Sequence, residues 1–167
     1  MLTTTLFPMM LILATLLCAL TTGLLFTFAV ITMPGIKSLN DGEFIRAFQV
    51  MDGVIQNNHP LFILVWVGSV VALLLTAVLG FGQLDTVGKA ILLTATALYL
   101  FGVQLPTGVI NVPLNNQLQT LEVSNMTQAA QATARLNFEP HWNRWNRMRT
   151  AVATLVTTLL ILLLFLL

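Results

Sequence analysis

Four uninterrupted apolar runs, at about 6–32, 61–81, 90–110 and 151–167, dominate this 167-residue chain. A helix needs about 20 apolar residues to cross a ~30 Å hydrocarbon core. Within that core every backbone N–H and C=O must find a partner in the protein, which leaves only helices and closed barrels. Barrel strands alternate polar and apolar residues, and these runs do not alternate. The expected fold is therefore all-α, an integral membrane four-helix bundle with amphipathic loop helices on one face. One four-span domain, 1–167, accounts for the length, with spans at about 6–32, 61–81, 90–110 and 148–167 and long loops at 33–59 and 111–147.

Composition removes several function classes. Charged residues make up 8% of the chain, against about 25% in soluble proteins, and the mean hydropathy is +0.89. A net charge of +1 supplies no electrostatic footprint for nucleic acid. Cys18 is the only cysteine and falls inside the first run, which excludes an intrachain disulfide and a cysteine-based metal site. No basic residue precedes the first run, which is about twice as long as a signal-peptide core and is not followed by an A-x-A site, so it reads as a retained helix. The last run ends the sequence in Leu, Ile and Phe alone, and that end is expected at the far interface.

Orientation follows from the basic residues. Lys37, Arg46, Arg135, Arg144, Arg147 and Arg149 lie on the side of the two long loops, whereas Lys89 and the terminal amine lie on the other. The excess of basic residues on the inner side of membrane proteins places the long loops in the cytoplasm of a multi-pass cell-membrane protein.

The long loops carry their own patterns. Ser38, Asn40 and Asp41 with Glu43 offer caps for a helix reaching about residue 57. In it Phe44, Phe48, Met51 and Ile55 form an apolar stripe beside a polar one of Gln49, Asp52 and Gln56. His59-Pro60 closes the loop, because a residue before proline is biased to extended geometry. The segment 114–138, rich in Gln, Asn, Thr and Ala, is expected to be a partly ordered helix broken at Glu139-Pro140.

Chemistry concentrates at the ends of the third and fourth runs. Gln104, Thr107, Asn111 and Asn115 recur at helical spacing, with Pro106 and Pro113 freeing backbone carbonyls that need a neighbour or a cavity. Two readings are open: interhelical glue, or a polar pocket at the loop side. The fourth run opens with His141, Trp142, Asn143, Arg144, Trp145, Asn146, Arg147, Met148 and Arg149. Trp142, Trp145, Asn146 and Arg149 share a helical face, which suits an interfacial anchor and equally the wall of a site. His59 and His141 are the only histidines, and each suits general-base duty. Their spacing with Asp52 and Glu139 matches no metal-ligand signature, so no metal site and no cofactor are assigned.

These motifs carry a resemblance. Phe28, Met33-Pro34-Gly35, Phe48-Gln49, Met51-Asp52 and Asn58-His59-Pro60-Leu61-Phe62, followed by Thr107-x3-Asn111-Val112-Pro113-Leu114-Asn115 and Trp142-x2-Trp145-Asn146-x2-Arg149-Thr150, resemble the anthrone-oxygenase-like family of small four-span membrane proteins. The chain departs from that pattern in carrying Asp52 where the family often has asparagine and in placing His59 just before Pro60. The resemblance implies oxidation of a lipophilic aromatic or phenolic molecule by molecular oxygen without a cofactor.

Two function classes follow. In the first, the chain is an oxidoreductase of the oxygenase type. His59, His141 and Arg149 are catalytic, and Gln49, Asp52, Gln104, Thr107, Asn111, Asn115, Trp142, Trp145 and Asn146 bind the substrate. In the second, the same residues make a non-catalytic lipid- or quinone-binding module or an accessory subunit. The expected partners are the lipid bilayer, a lipophilic small molecule, and a second copy or another subunit of a membrane complex.

Overall fold

A computed structural model of the chain describes residues 2–167. It is 88% helical, with no strand among the described residues, and four helices are long and apolar enough to cross a membrane. The first, Thr5–Ile36, joins α1 (Leu2–Thr27), a π-helical turn (Phe28–Thr32) and α2 (Met33–Ile36). The amphipathic α3 (Asp41–Gln56) leads to the second, α4 (Pro60–Gly80). The third, Thr86–Gln119, runs from α5 (Thr86–Ala97) through π segments Leu98–Gln104 and Thr107–Asn111 into α6 (Val112–Gln119). A short 3-10 turn, Val123–Asn125, precedes the fourth, α7 (Gln128–Phe165).

The outward faces of these helices are apolar, as lipid requires. Leu20, Val78, Phe101 and Leu155 are all exposed, a surface that water would not tolerate. Between the helices, Phe7, Leu11, Leu73, Leu92, Tyr99, Val156 and Leu160 form the core. Hydroxyls at this depth turn back onto their own helices: Thr15, Thr76, Thr96 and Thr150 each donate to the carbonyl four residues earlier, so none is left unpaired in hydrocarbon.

Each π segment ends two residues before a proline, at Pro34, Pro106 and Pro113. A proline ring has no N–H and crowds the carbonyl four residues back. The preceding turn widens to i→i+5 bonding instead of breaking. That widening shifts the phase of every side chain on the N-terminal side of the turn, which bears directly on the site below.

Close approach of the third helix to α7 depends on Gly102. A Cβ there would lie 2.7 Å from Val152 Cγ1, a clash that a short β-branched side chain cannot swing away from. Gly102→Ala is expected to lower stability by about 1–3 kcal/mol, read as an earlier midpoint in denaturing-detergent titration. An unchanged midpoint would mean that this contact does not tie the two helices.

The loop-side end of the bundle is capped by a second apolar cluster. Helix α3 starts with a capping box, in which Asn40 Oδ1 accepts from the Glu43 N–H at 2.9 Å and Glu43 Oε2 accepts from the Asn40 N–H at 3.3 Å. Its buried Phe44, Ile45 and Phe48 pack with Met33, Leu118, Phe138 and Trp142. The stripe seen in the sequence is thus present, with Ile45 buried in it and Met51 and Ile55 only partly covered.

The chain corrects one expectation here. Glu139-Pro140 does not break a helix: α7 runs through Pro140 without interruption. The carbonyl that loses its donor belongs to exposed Leu136, where water can replace the bond. Arg135 meanwhile ties this stretch to the preceding loop. Its guanidinium donates to the carbonyls of Lys37 (2.8 Å) and Leu39 (2.9 Å), to Asp41 (3.1 Å) and to Glu139 (2.8 Å). Both long connections therefore pack at one end of the bundle. Cysteines at exposed positions 38 and 124 are expected to react from the same side of the membrane, and one at position 82 from the other. Labelling of Ser38→Cys and Ser124→Cys from opposite sides would contradict the topology.

Candidate functional site

Beneath α3, at the mouth of the bundle, the structure holds a cavity of about 160 Å³. Most of its wall is apolar: Phe28, Phe48, Ile55, Phe62, Trp66 and Trp142 surround it. Polar groups enter the wall from three directions. Asp52 comes from α3, Thr107, Asn111 and Asn115 from the third helix, and Asn146 and Arg149 from α7. Asp52, Asn111, Trp142, Asn146 and Arg149 are all buried.

Arg149 is held rigidly. One guanidinium nitrogen donates to Thr107 Oγ1 at 2.7 Å, another to Asn146 Oδ1 at 3.0 Å. The Asn146 amide in turn donates to the Leu25 carbonyl at 3.1 Å, which fixes its acceptor oxygen toward the arginine. Arg149 Nε is buried and takes no partner from the protein, and neither does Asn111 Oδ1. The guanidinium carbon lies 6.0 Å from the Trp142 ring centroid, near the limit of a cation–π contact. No carboxylate pairs with Arg149 among the described residues, where ion pairs are formed by Arg135.

Asp52 is oriented as firmly. Its Oδ1 accepts from Asn115 Nδ2 at 2.7 Å, and its Oδ2 accepts from Gln56 at 2.8 Å and from Gln119 at 3.0 Å. Asn115 also accepts the Trp142 indole N–H at 2.8 Å, so one amide fixes both the carboxylate and the aromatic wall. The edge of Trp142 meets Phe48 at a centroid distance of 5.4 Å. A buried cation and a buried carboxylate thus face the same cavity without touching each other.

The structure brings only part of the expected residue set to the cavity. His59 and His141 are exposed and do not line the cavity. His59 is turned out by the extended geometry that Pro60 imposes, and His141 sits one helical step of about 100° from buried Trp142. Trp145 is only half-buried and outside the lining, because the buried stripe of α7 is Trp142, Asn146 and Arg149. Gln104 also lies outside it. The π segment Thr107–Asn111 lies between it and Asn115, so 3.6-residue spacing does not carry across. Gln49 supports the site from behind. Its amide donates to the Leu118 and Leu121 carbonyls at 2.8 and 2.9 Å, which holds the end of the third helix against α3.

Sequence reasoning passed over other wall residues. Phe62 and Trp66 stack at 5.6 Å with an interplanar angle of 16° and lie within an apolar run that offers no polar marker. Their signals are an i,i+4 aromatic pair and, for Phe62, its place in the Asn58-His59-Pro60-Leu61-Phe62 motif.

Chemically, the cavity presents a fixed cation and an unpaired acceptor to an otherwise aromatic space, with one carboxylate in the wall. No three of His, Cys, Asp and Glu gather within metal-binding reach among the described residues. A family model described as anthrone oxygenase matches residues 51–159, a stretch that includes Asp52 and every polar wall residue from the third helix and α7. No curated protein and no solved structure matches the chain.

Proposed function

The chain belongs to the anthrone oxygenase family, and on that premise we propose that it oxidises a lipophilic hydroxylated aryl ketone with molecular oxygen. The observation that supports this reading is the separation of Arg149 from Asp52 across an aromatic-walled cavity. An isolated buried charge is costly, and Arg149 gains an opposite charge only when an oxyanion forms on a ligand held between the two.

In this reading the substrate carbonyl accepts from Arg149 Nε, and a phenolic hydroxyl donates to Asn111 Oδ1. Asp52 removes a proton from the activated methylene, and the charge moves onto the carbonyl oxygen, where the guanidinium stabilises it. The Trp142 and Phe48 rings hold the aromatic plane. The resulting carbanion is electron-rich enough to give an electron to oxygen. Recombination forms a C–OOH group, and loss of water leaves a new carbonyl. The methylene loses two hydrogens and gains one oxygen atom, and the second oxygen atom leaves as water. Asp52 is where this chain departs from the usual family pattern, so its role as base is a property of this chain. We also place the long connections on the cytoplasmic side, on the strength of their excess of basic residues.

The test is an assay of the detergent-solubilised protein with anthrone under ¹⁸O₂, with no cofactor added. One ¹⁸O in the new carbonyl and one oxygen consumed per product are expected. Saturable binding without oxygen uptake would favour the alternative class, a non-catalytic quinone- or lipid-binding module.

A further inference from the structure

A second, larger groove of about 530 Å³ lies outside the site, between the loop-side end of the first helix and residues 139–147 of α7. Lys37 and Arg147 both line it, together with half-buried Asn143. Both cations are exposed, and neither takes part in an ion pair among the described residues. The one acid in the wall, Glu139, is already held by Arg135. Arg135 also grips the Lys37 carbonyl at 2.8 Å, which pins the backbone of Lys37 to α7 and keeps the two cations on one groove. Ala29, Pro34 and Pro140 leave the space between them open, since none has a long side chain.

Below the cations, toward the middle of the bundle, both flanks turn apolar and exposed. Phe26 and Val30 of the first helix and Leu155 of α7 are exposed, and their helical spacing from Ala29, Pro34 and Arg147 of the groove sets them on the same flanks. Paired cations above an open apolar flank match the two halves of an anionic phospholipid. We propose that this groove binds one anionic glycerophospholipid, its phosphate between Lys37 and Arg147 and its acyl chains along the α1–α7 flank. The site is separate from the oxygenase cavity and does not depend on the reading given for it.

Native mass spectrometry of the solubilised protein, titrated with phosphatidylglycerol or phosphatidylcholine in mixed micelles, tests the proposal. One saturable phosphatidylglycerol per chain is expected, with phosphatidylcholine at least about tenfold weaker. Juxtamembrane cations each add modest attraction to anionic lipid, and two together predict roughly 30-fold weaker binding in Lys37→Gln/Arg147→Gln. Arg46→Gln/Arg144→Gln removes the same charge from exposed positions outside the groove and is expected to change affinity by less than about threefold. Equal weakening by both pairs would reduce the effect to diffuse surface charge and overturn the site. Displacement of the lipid by millimolar inorganic phosphate would overturn the lipid as its occupant. Should the double variant lose its helical circular dichroism, the two single variants carry the test, each expected to weaken binding by roughly fivefold.

Discussion

Arg149→Lys is expected to insert and fold normally while losing about 10²–10³-fold in the oxidation rate, the usual cost of removing a donor from a developing oxyanion. Lysine keeps the positive charge. It cannot reproduce the guanidinium fork that reaches Thr107 Oγ1 and Asn146 Oδ1 together. A charged residue within a membrane helix costs about 2.5–3.5 kcal/mol on insertion scales at the helix centre, so its retention beside an unpaired nitrogen needs a reason. The measurement is oxygen uptake, with membrane insertion and helicity checked on the same preparation. Wild-type activity in Arg149→Lys, combined with misinsertion of Arg149→Ala, would make the residue a topology anchor.

Asp52→Asn is expected to divide binding from chemistry. The amide is nearly isosteric and still lines the cavity, but it cannot accept a proton, and general-base removal typically costs about 10²–10⁴-fold in rate. One of the three donors now facing Asp52, from Gln56, Asn115 or Gln119, would meet the new amide N–H, so a modest loss of stability is expected as well. The expected result is quinone binding within a fewfold of wild type, measured by quenching of tryptophan fluorescence, with oxygen uptake nearly abolished. Unchanged turnover would leave Asp52 as a clamp between α3 and α6 and remove it from the chemistry.

The membrane fold was legible because the physical requirement is itself a length of apolar sequence. Each run lies along one of the four long helices, the fourth in the C-terminal half of α7. What lay outside them was harder to read, since polar composition neither demands nor forbids a helix. Pro140 looked like a terminator, yet its bare carbonyl falls at exposed Leu136, and the Arg135 network together with the Phe138 and Trp142 packing holds the helix on both sides of it.

The site was half legible for a related reason. Periodicity gives a face but not its direction, so it set Trp145 beside Asn146 and Arg149, of which only the last two line the cavity. It also assumed a constant 3.6-residue turn, which the π segment between Gln104 and Asn115 violates, and Gln104 lies outside the cavity lining. The histidines attracted attention through chemistry alone. Asp52, marked in the sequence as a substrate-binding residue and as a departure from the family pattern, is brought to the cavity wall by the folding of α3 over the bundle mouth.

The most direct measurement is a structure of the protein with an unreactive quinone bound, determined by electron microscopy or crystallography in lipid. A quinone oxygen at about 3 Å from Arg149 Nε, with its ring between Trp142 and Phe48, is the expected result. A quinone bound elsewhere, such as along the α1–α7 flank, with Arg149 Nε facing no ligand oxygen, would contradict the assignment of this cavity as the site.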